Sequence, residues 1–449
     1  MTILFFNLHF DLMNYLESLQ YLGSFTNYET RSNYDYAQSF NLERMRRLAS
    51  RLGNPQKDFK SIHIAGSKGK GSTSVIVHSI LKEAGYKAGL YTSPHFTSFR
   101  ERIRINDELI SEKDLSILSG RIKNVTDRME DDKPTFFEVY TALSYLYFSQ
   151  KKIDFGVFEV GLGGSLDATN ILEPLVSAIT PISYEHTDKL GRTLALIAAE
   201  KAGIIKDDSV CVIAPQEAES LEVVLKICGQ KRARPVLIGK DIKFKSLEWT
   251  DSIEVFTVSG LSDNYPRLEM SLLGAHQVAN AATAIGVIEA LRFHKIDIDK
   301  DAVRCGVEKV KWPGRLEVVS KKPYIILDGA QNRASAKALA QAIKRAFKYS
   351  DLALVLGVSK DKDIKGILDE LLPIADRIIL TKSKMVDRAA DPQAIKEMIP
   401  QGREVYLTDN VGEAVEKAKA LTAVKDLALI TGSLFVVGDA REIFMAGSR

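Results

Sequence analysis

The run Gly66-Ser67-Lys68-Gly69-Lys70-Gly71-Ser72 interleaves glycines with two lysines. Glycines let backbone N–H groups converge on phosphate oxygens, a following helix adds its positive end, and Lys70 supplies a full charge. The first glycine stands too close to the Gly-Lys pair for the usual Walker spacing. The alternative is a glycine-rich turn with two surface lysines. A second cluster surrounds Glu159, a single carboxylate near the end of the apolar run 155–160 and ahead of Gly161, Gly163 and Gly164. Such a residue suits Mg²⁺ at the carboxyl edge of a sheet, and equally suits a structural ion pair. A third contains Glu185, His186 and Asp188 at another strand end, followed by Glu200 and Lys201. A lone histidine of this kind is more often structural than a ligand, and Lys201 alone reads as solvated.

Positioning these groups requires strands that end where the clusters begin. Short apolar runs at 61–65, 88–92, 155–160, 176–180 and 210–213 read as parallel strands, with helices at 72–84, 136–150 and 194–202 between them. Upstream, residues 12–19 and 42–52 read as helices, joined by a polar, Tyr- and Asn-rich connector at 27–39 that has the composition of a surface loop. Residues 236–273 read as smaller alternating strands and 277–293 as an Ala-rich helix. Trp312-Pro313-Gly314 breaks the pattern. Alternation then resumes, with strands near 324–327, 353–356, 377–380, 405–407 and 427–430 and helices such as 334–347 and 411–421. The expected fold is α/β: an N-terminal P-loop-type parallel-sheet domain with a small added β-region (1–312), and a C-terminal Rossmann-like α/β domain (313–449).

The 449 residues are 45% apolar and 27% charged with a net charge of +3, a composition typical of a soluble globular fold. Nothing marks a nucleic-acid or membrane surface, so small molecules are the expected partners. Cys211, Cys228 and Cys305 have neither disulfide nor zinc spacing. The opening residues 1–13 lack a basic n-region, and no stretch reaches the length of a membrane span, so a cytoplasmic location is expected.

Taken in order, these motifs resemble the folylpolyglutamate synthase and dihydrofolate synthase family of the Mur ligase superfamily, from about Asn41 onward. Further segments carry the resemblance: Tyr91-Thr92-Ser93-Pro94-His95, Arg100-Glu101-Arg102-Ile103, Thr135-Phe136-Phe137-Glu138, Leu166-Asp167-Ala168-Thr169-Asn170, His276-Gln277-Val278-Ala279-Asn280, Pro313-Gly314-Arg315, Leu327-Asp328-Gly329-Ala330, residues 357–363 and Gly432-Ser433-Leu434. The resemblance implies an ATP-binding central domain and a glutamate-ligase C-terminal domain. It gives Ser67, Lys68, Gly69, Lys70 and Gly71 to the ATP phosphates, with Asn280, Arg315 and Asp328 completing the nucleotide site across a domain gap. It assigns Mg²⁺ to Ser93, Glu159 and His186, and a carbamylated lysine to Lys201, with Lys70, Lys201 and His186 as the catalytic group. Substrate contacts fall to Thr135, Phe136, Phe137, Glu138, Leu166, Asp167, Ala168, Gln331 and Ser433, Phe137 being suited to stack on a pterin. The chain departs from the family pattern in two places: Gln331 replaces the usual His, which bears on amino-acid choice, and Ser67-Lys68 replaces Thr-Asn.

The implied reaction is ATP-dependent addition of L-glutamate to dihydropteroate, to folates or to both, by a chain that is monomeric on the family pattern. The substrate carboxylate takes the γ-phosphoryl group, and the amine then displaces phosphate. Two other readings compete. A cell-wall Mur ligase needs a UDP-sugar domain for which the 65 residues before Gly66 are too few. A nucleotide-binding switch has no use for Ser93, Glu159, His186 and Lys201.

Overall fold

The computed structural model describes residues 13–30, 34–129, 132–384 and 388–446. Leu12, and all but the last residue of the opening segment 1–13, lie outside the described residues; the first helix runs Tyr15–Gly23. Runs of apolar residues buried on both faces make parallel strands covered by helices. The strands of the first sheet are β1 (Lys60–Ala65), β2 (Ala88–Tyr91), β3 (Ile103–Ile105), β4 (Glu108–Leu109), β5 (Phe155–Glu159), β6 (Val176–Ile179), β7 (Val210–Ile213) and β8 (Arg234–Leu237). They form one eight-stranded sheet in the order β4-β3-β2-β5-β1-β6-β7-β8. Pairing is parallel from β2 to β8, and the hairpin β3–β4 adds antiparallel strands at one edge.

One face of this sheet is packed by the helices Lys70–Glu83, Ala275–Ala290 and Lys300–Lys309. The other is packed by Phe136–Lys151 and Leu194–Ala202. The β-region expected at 236–273 divides. Its start belongs to β8 in the main sheet, while β9 (Lys243–Trp249), β10 (Glu254–Ser259) and β11 (Asn264–Met270) form a separate antiparallel sheet.

Beyond Pro313 lies a second sheet: β12 (Glu317–Lys321), β13 (Tyr324–Leu327), β14 (Leu352–Leu356), β15 (Arg377–Leu380), β16 (Glu404–Leu407) and β17 (Leu427–Thr431). Its order is β12-β13-β17-β14-β15-β16, parallel except for the edge strand β12. Its faces are buried separately, one against the helices Arg333–Ala346 and Ile364–Leu371, the other against Val411–Leu421 and Leu434–Ala446. In open parallel sheets ligands gather at the carboxyl ends of strands. In this chain Gly66 follows β1, Glu159 ends β5 and Asp328 follows β13. Among the described residues no helix is long and apolar enough to cross a membrane.

Two buried histidines make the fold sensitive to acid. Burial holds His63 and His78 down at about 3, helped by the charges of Lys206 and Arg104 respectively. In the unfolded chain these rings take up protons near the ordinary value of about 6.5. Their contribution is therefore fully present above that pH and declines as pH falls toward the folded values. The urea midpoint is expected to drop between pH about 7.5 and about 5; an unchanged midpoint would refute this.

Candidate active site

The phosphate loop is shaped by its neighbours. Gly66 takes a φ of 143°, and a Cβ there would lie 1.9 Å from Thr180 Oγ1, so this position accepts only glycine. Ser67 N–H and Lys68 N–H both donate to Pro181 O at 3.1 Å, and Ser67 Oγ bonds the backbone of Ser183 in both directions at 3.0 Å. These groups brace the loop against the strand-end segment that follows β6. The N–H groups left for an anion are those of the first turn of Lys70–Glu83, which have no intrahelical partner. Lys70 Nζ reaches back to Gly66 O at 3.0 Å.

Gly69, at φ 82°, faces Asn280, whose Oδ1 would stand 2.3 Å from an added Cβ. Gly69→Ala therefore combines backbone strain with a clash against the opposite wall. We expect the KM for nucleotide to rise about 10–100-fold with the fold retained; unchanged nucleotide kinetics in a folded variant would refute the close contact.

Beside the loop sits a compact ionic cluster. Lys201 Nζ, in a side chain 3% exposed, donates to Glu185 Oε1 at 2.9 Å and to Gly66 O at 3.0 Å. Burial depresses the Lys201 ammonium despite the neighbouring carboxylate. Burial opposes ionisation of Glu185, but the charges of Lys201, Lys70 and His186 outweigh it and hold the carboxyl at about 2. His186 starts the short helix Thr187–Leu190 with φ 47°, and burial lowers it to about 4, so the ring is neutral near pH 7. A neutral imidazole retains a lone pair for a ligand bond and is a poor general acid. Glu159 is 6% exposed; its Oε2 accepts from Ser93 N–H at 3.2 Å. Burial raises its pKa, and Lys70, the Ser93 N–H and Arg315 oppose that rise. A buried carboxylate with one modest N–H partner fits a cation, and oxygen donors suit Mg²⁺.

The far wall comes from the helix Ala275–Ala290 and the second sheet. Asn280 is held by its Nδ2 donating to Gln277 Oε1 at 3.0 Å. Asp328 accepts from Leu316 N–H and Ala330 N–H, both at 2.9 Å; burial raises its pKa, against Arg315 and those two bonds. One cavity of about 900 Å³ joins the phosphate loop, Ser93, Glu159, His186, Lys201, Asn280, Arg315, Asp328 and Gln331.

The expected substrate residues divide. Thr135, Phe137 and Asp167 line the same cavity. Thr135 caps the helix Phe136–Lys151, and Phe137 packs on Gly161, where a Cβ would lie 2.5 Å from the ring. Asp167 accepts from Gly161 N–H and Leu162 N–H at 3.0 Å each, ordering the glycine run after β5. Phe136 turns instead into the core beneath the Arg102 guanidinium, 5.2 Å from the ring centroid. Glu138 closes the capping box with Thr135 and is buried against Arg44 at 2.8 Å. Ala168 is buried in one core cluster, and Leu166 is partly buried against another. Ser433 Oγ accepts from Phe435 N–H at 3.2 Å at the head of the last helix. None of these last five lines the cavity.

The connector at 27–39 is not a plain surface loop, as its composition had suggested. Tyr28, Glu29 and Tyr34 line the cavity together with Phe40. The Glu29 carboxylate grips Arg102 (Nη1–Oε1 2.8 Å), a residue 1% exposed, while its carbonyl accepts from Arg388 of the second sheet's loops. Arg388 also pairs with Asp361 at 3.0 Å. Glu185, Glu29 and Arg388 were given no role from the sequence. An acidic residue beside His186 was the only available signal.

Two α/β bodies facing each other across a cavity, one carrying a phosphate loop and the other an Asp328–Arg315 wall, define a Mur-type ligase. Residues 64–288 match the Mur ligase middle domain and 314–434 the Mur ligase glutamate ligase domain. The dihydrofolate synthase/folylpolyglutamate synthase of Bacillus subtilis is 35% identical over 408 residues, 89% of this chain and 94% of the relative. A probable bifunctional folylpolyglutamate synthase/dihydropteroate synthase of Haloferax volcanii is 33% identical over 96% of this chain, which spans about half (50%) of that relative. Among solved structures, the Mycobacterium tuberculosis folylpolyglutamate synthase complexed with ADP superposes with a TM-score of 0.87 at 33% identity, covering 96% of this chain and 98% of that one. E. coli FolC in complex with DHPP and ADP gives 0.85 at 28% identity, covering 97% and 99%. The chain belongs to the folylpolyglutamate synthase/dihydrofolate synthase family, ATP-dependent ligases that add glutamate in folate metabolism.

Proposed function

We propose that this protein joins L-glutamate both to dihydropteroate and to reduced folates, using ATP to activate the acceptor carboxylate. The observation that carries the reading is the single cavity in which the phosphate loop, Phe137 and Gln331 all present surface. ATP would lie with its phosphates on the first turn of Lys70–Glu83 and its far side against Asn280, Arg315 and Asp328. The folate end would lie along Thr135, Phe137 and the connector aromatics.

A carboxylate becomes reactive toward an amine only when one oxygen is made a leaving group. The substrate carboxylate would attack the γ-phosphorus, giving an acyl phosphate and ADP. The amino group of glutamate would then add to the acyl carbon, and the tetrahedral intermediate would expel phosphate. Lys70 neutralises charge on the transferred group, and the two walls supply alignment. Ser93, Glu159 and His186 are suited to hold Mg²⁺, which would supply positive charge to offset that of the phosphates. Among the described residues no three His, Cys, Asp or Glu side chains converge as a metal site. The depressed pKa of Lys201 favours the free amine that carbamylation needs, and a carbamate beside Glu185 would need a cation's charge to offset the two anions. No residue is required as a covalent nucleophile.

We place the division between the catalytic domains at 312/313, and expect a cytoplasmic monomer. Purified protein is to be incubated with ATP, Mg²⁺, L-glutamate and either dihydropteroate or tetrahydrofolate, and the products weighed. A glutamyl increment on both acceptors is the expected result. An increment on one acceptor only would refute the dual activity, and on neither, the folate reading.

A further inference from the structure

The helix Ala275–Ala290 brings His276, Gln277 and Asn280 to the nucleotide wall, yet its own start has no side-chain cap. Gly274, the residue before it, has φ 109°. Its N–H donates at 2.9 Å to Oε1 of Glu254, a carboxylate from β10 that is 1% exposed. The other oxygen, Oε2, is held at 3.1 Å by Nη2 of Arg345, in the last turn of the helix Arg333–Ala346 of the second sheet. Arg345 is itself fixed: Nη2 donates to Ser246 Oγ at 2.7 Å, its carbonyl accepts from Trp249 Nε1 at 3.0 Å, and its guanidinium lies 3.7 Å from the Trp249 ring centroid. Two further contacts tie the same point to the second sheet. Leu273 is buried in that sheet's core, and a Cβ on Gly274 would meet Ala342 at 3.5 Å.

An anion at a helix start satisfies an orphan donor and favours the positive end of the helix. Here the anion is set by a cation from the opposite body. We propose that Glu254, oriented by Arg345, is a positioning residue for nucleotide binding. It seats the start of Ala275–Ala290 and so sets the height of Asn280 against Gly69. Nucleotide affinity thereby depends on the docking of the second sheet, through a contact outside the substrate cavity. The inference rests on the reading of Asn280 as part of the nucleotide wall.

The test uses Glu254→Gln, Arg345→Met, the double variant and Asn280→Ala in the full chain. Readouts are the dissociation constant for ADP, the KM for ATP, the KM for glutamate and kcat. Both single variants are expected to weaken ADP and raise the ATP KM about 5–10-fold, with glutamate KM and kcat within about twofold. The double variant, free of an unpaired buried charge, is expected to be no worse than Arg345→Met. It carries the test should Arg345→Met fail to fold. ATP and ADP affinities equal to those of the parent protein, or all KM values rising together, would overturn the proposal. A silent Asn280→Ala would instead overturn the nucleotide-wall reading itself.

Discussion

Replacing Lys201 by alanine is expected to lower kcat by about 10³-fold or more while the protein stays folded. Lys201 touches two parts of the site at once, the Glu185 carboxylate and the carbonyl of Gly66 at the root of the phosphate loop. Its removal strips Glu185 of the nearest of the charges that keep it ionised and leaves a carboxylate buried without its closest cation. If the side chain works as a carbamate, added short carboxylates should restore part of the rate. If it works only as an ammonium, they should not. Full activity in the alanine variant would refute both roles. Circular dichroism and the denaturant midpoint separate the loss of rate from loss of fold.

The second large effect is expected at Lys70. Lys70→Met keeps the aliphatic stem and the helix, but removes the charge proposed to face the transferred phosphoryl group. It also removes the main positive neighbour of Glu159, a carboxyl that burial already pushes toward protonation. A protonated Glu159 is a poor oxygen donor to a cation, so the two losses compound. We expect kcat/KM for ATP to fall about 10³-fold. Raising the Mg²⁺ concentration or the pH should recover only the share that belongs to Glu159. Parental kcat/KM would exclude a phosphate role for the loop.

The parallel strands were legible because strands buried on both faces are continuous apolar runs, as in Val210–Ile213 or Leu352–Leu356. Strands at the edges were not. Glu317–Lys321 and the hairpin at Ile103–Leu109 are short, mixed in polarity and partly exposed, so periodicity carries little signal there. The loop at 66–72 and the carboxylates at strand ends could be found because a parallel sheet gathers its loops at one edge. The segment at 135–138 shows the opposite difficulty. Successive residues on a helix point about 100° apart. Phe137 therefore meets the cavity while Phe136 enters the core, and the capping box with Thr135 keeps Glu138 off the cavity wall. Arg388 was beyond reach, since its contact with Glu29 crosses 359 positions of sequence.

That contact bears on how short a working version of this protein can be made. Every strand of both sheets, the phosphate loop and the far wall lie after residue 59, and the matched domain begins at residue 64. A chain trimmed to that limit would retain all of them. It would lose Glu29, leaving Arg102 buried to 1% without the carboxylate that grips it and Arg388 without its carbonyl partner. A buried guanidinium stripped of its anion destabilises by about 3–5 kcal/mol. The minimal functional unit therefore begins upstream of residue 29, well before the first strand.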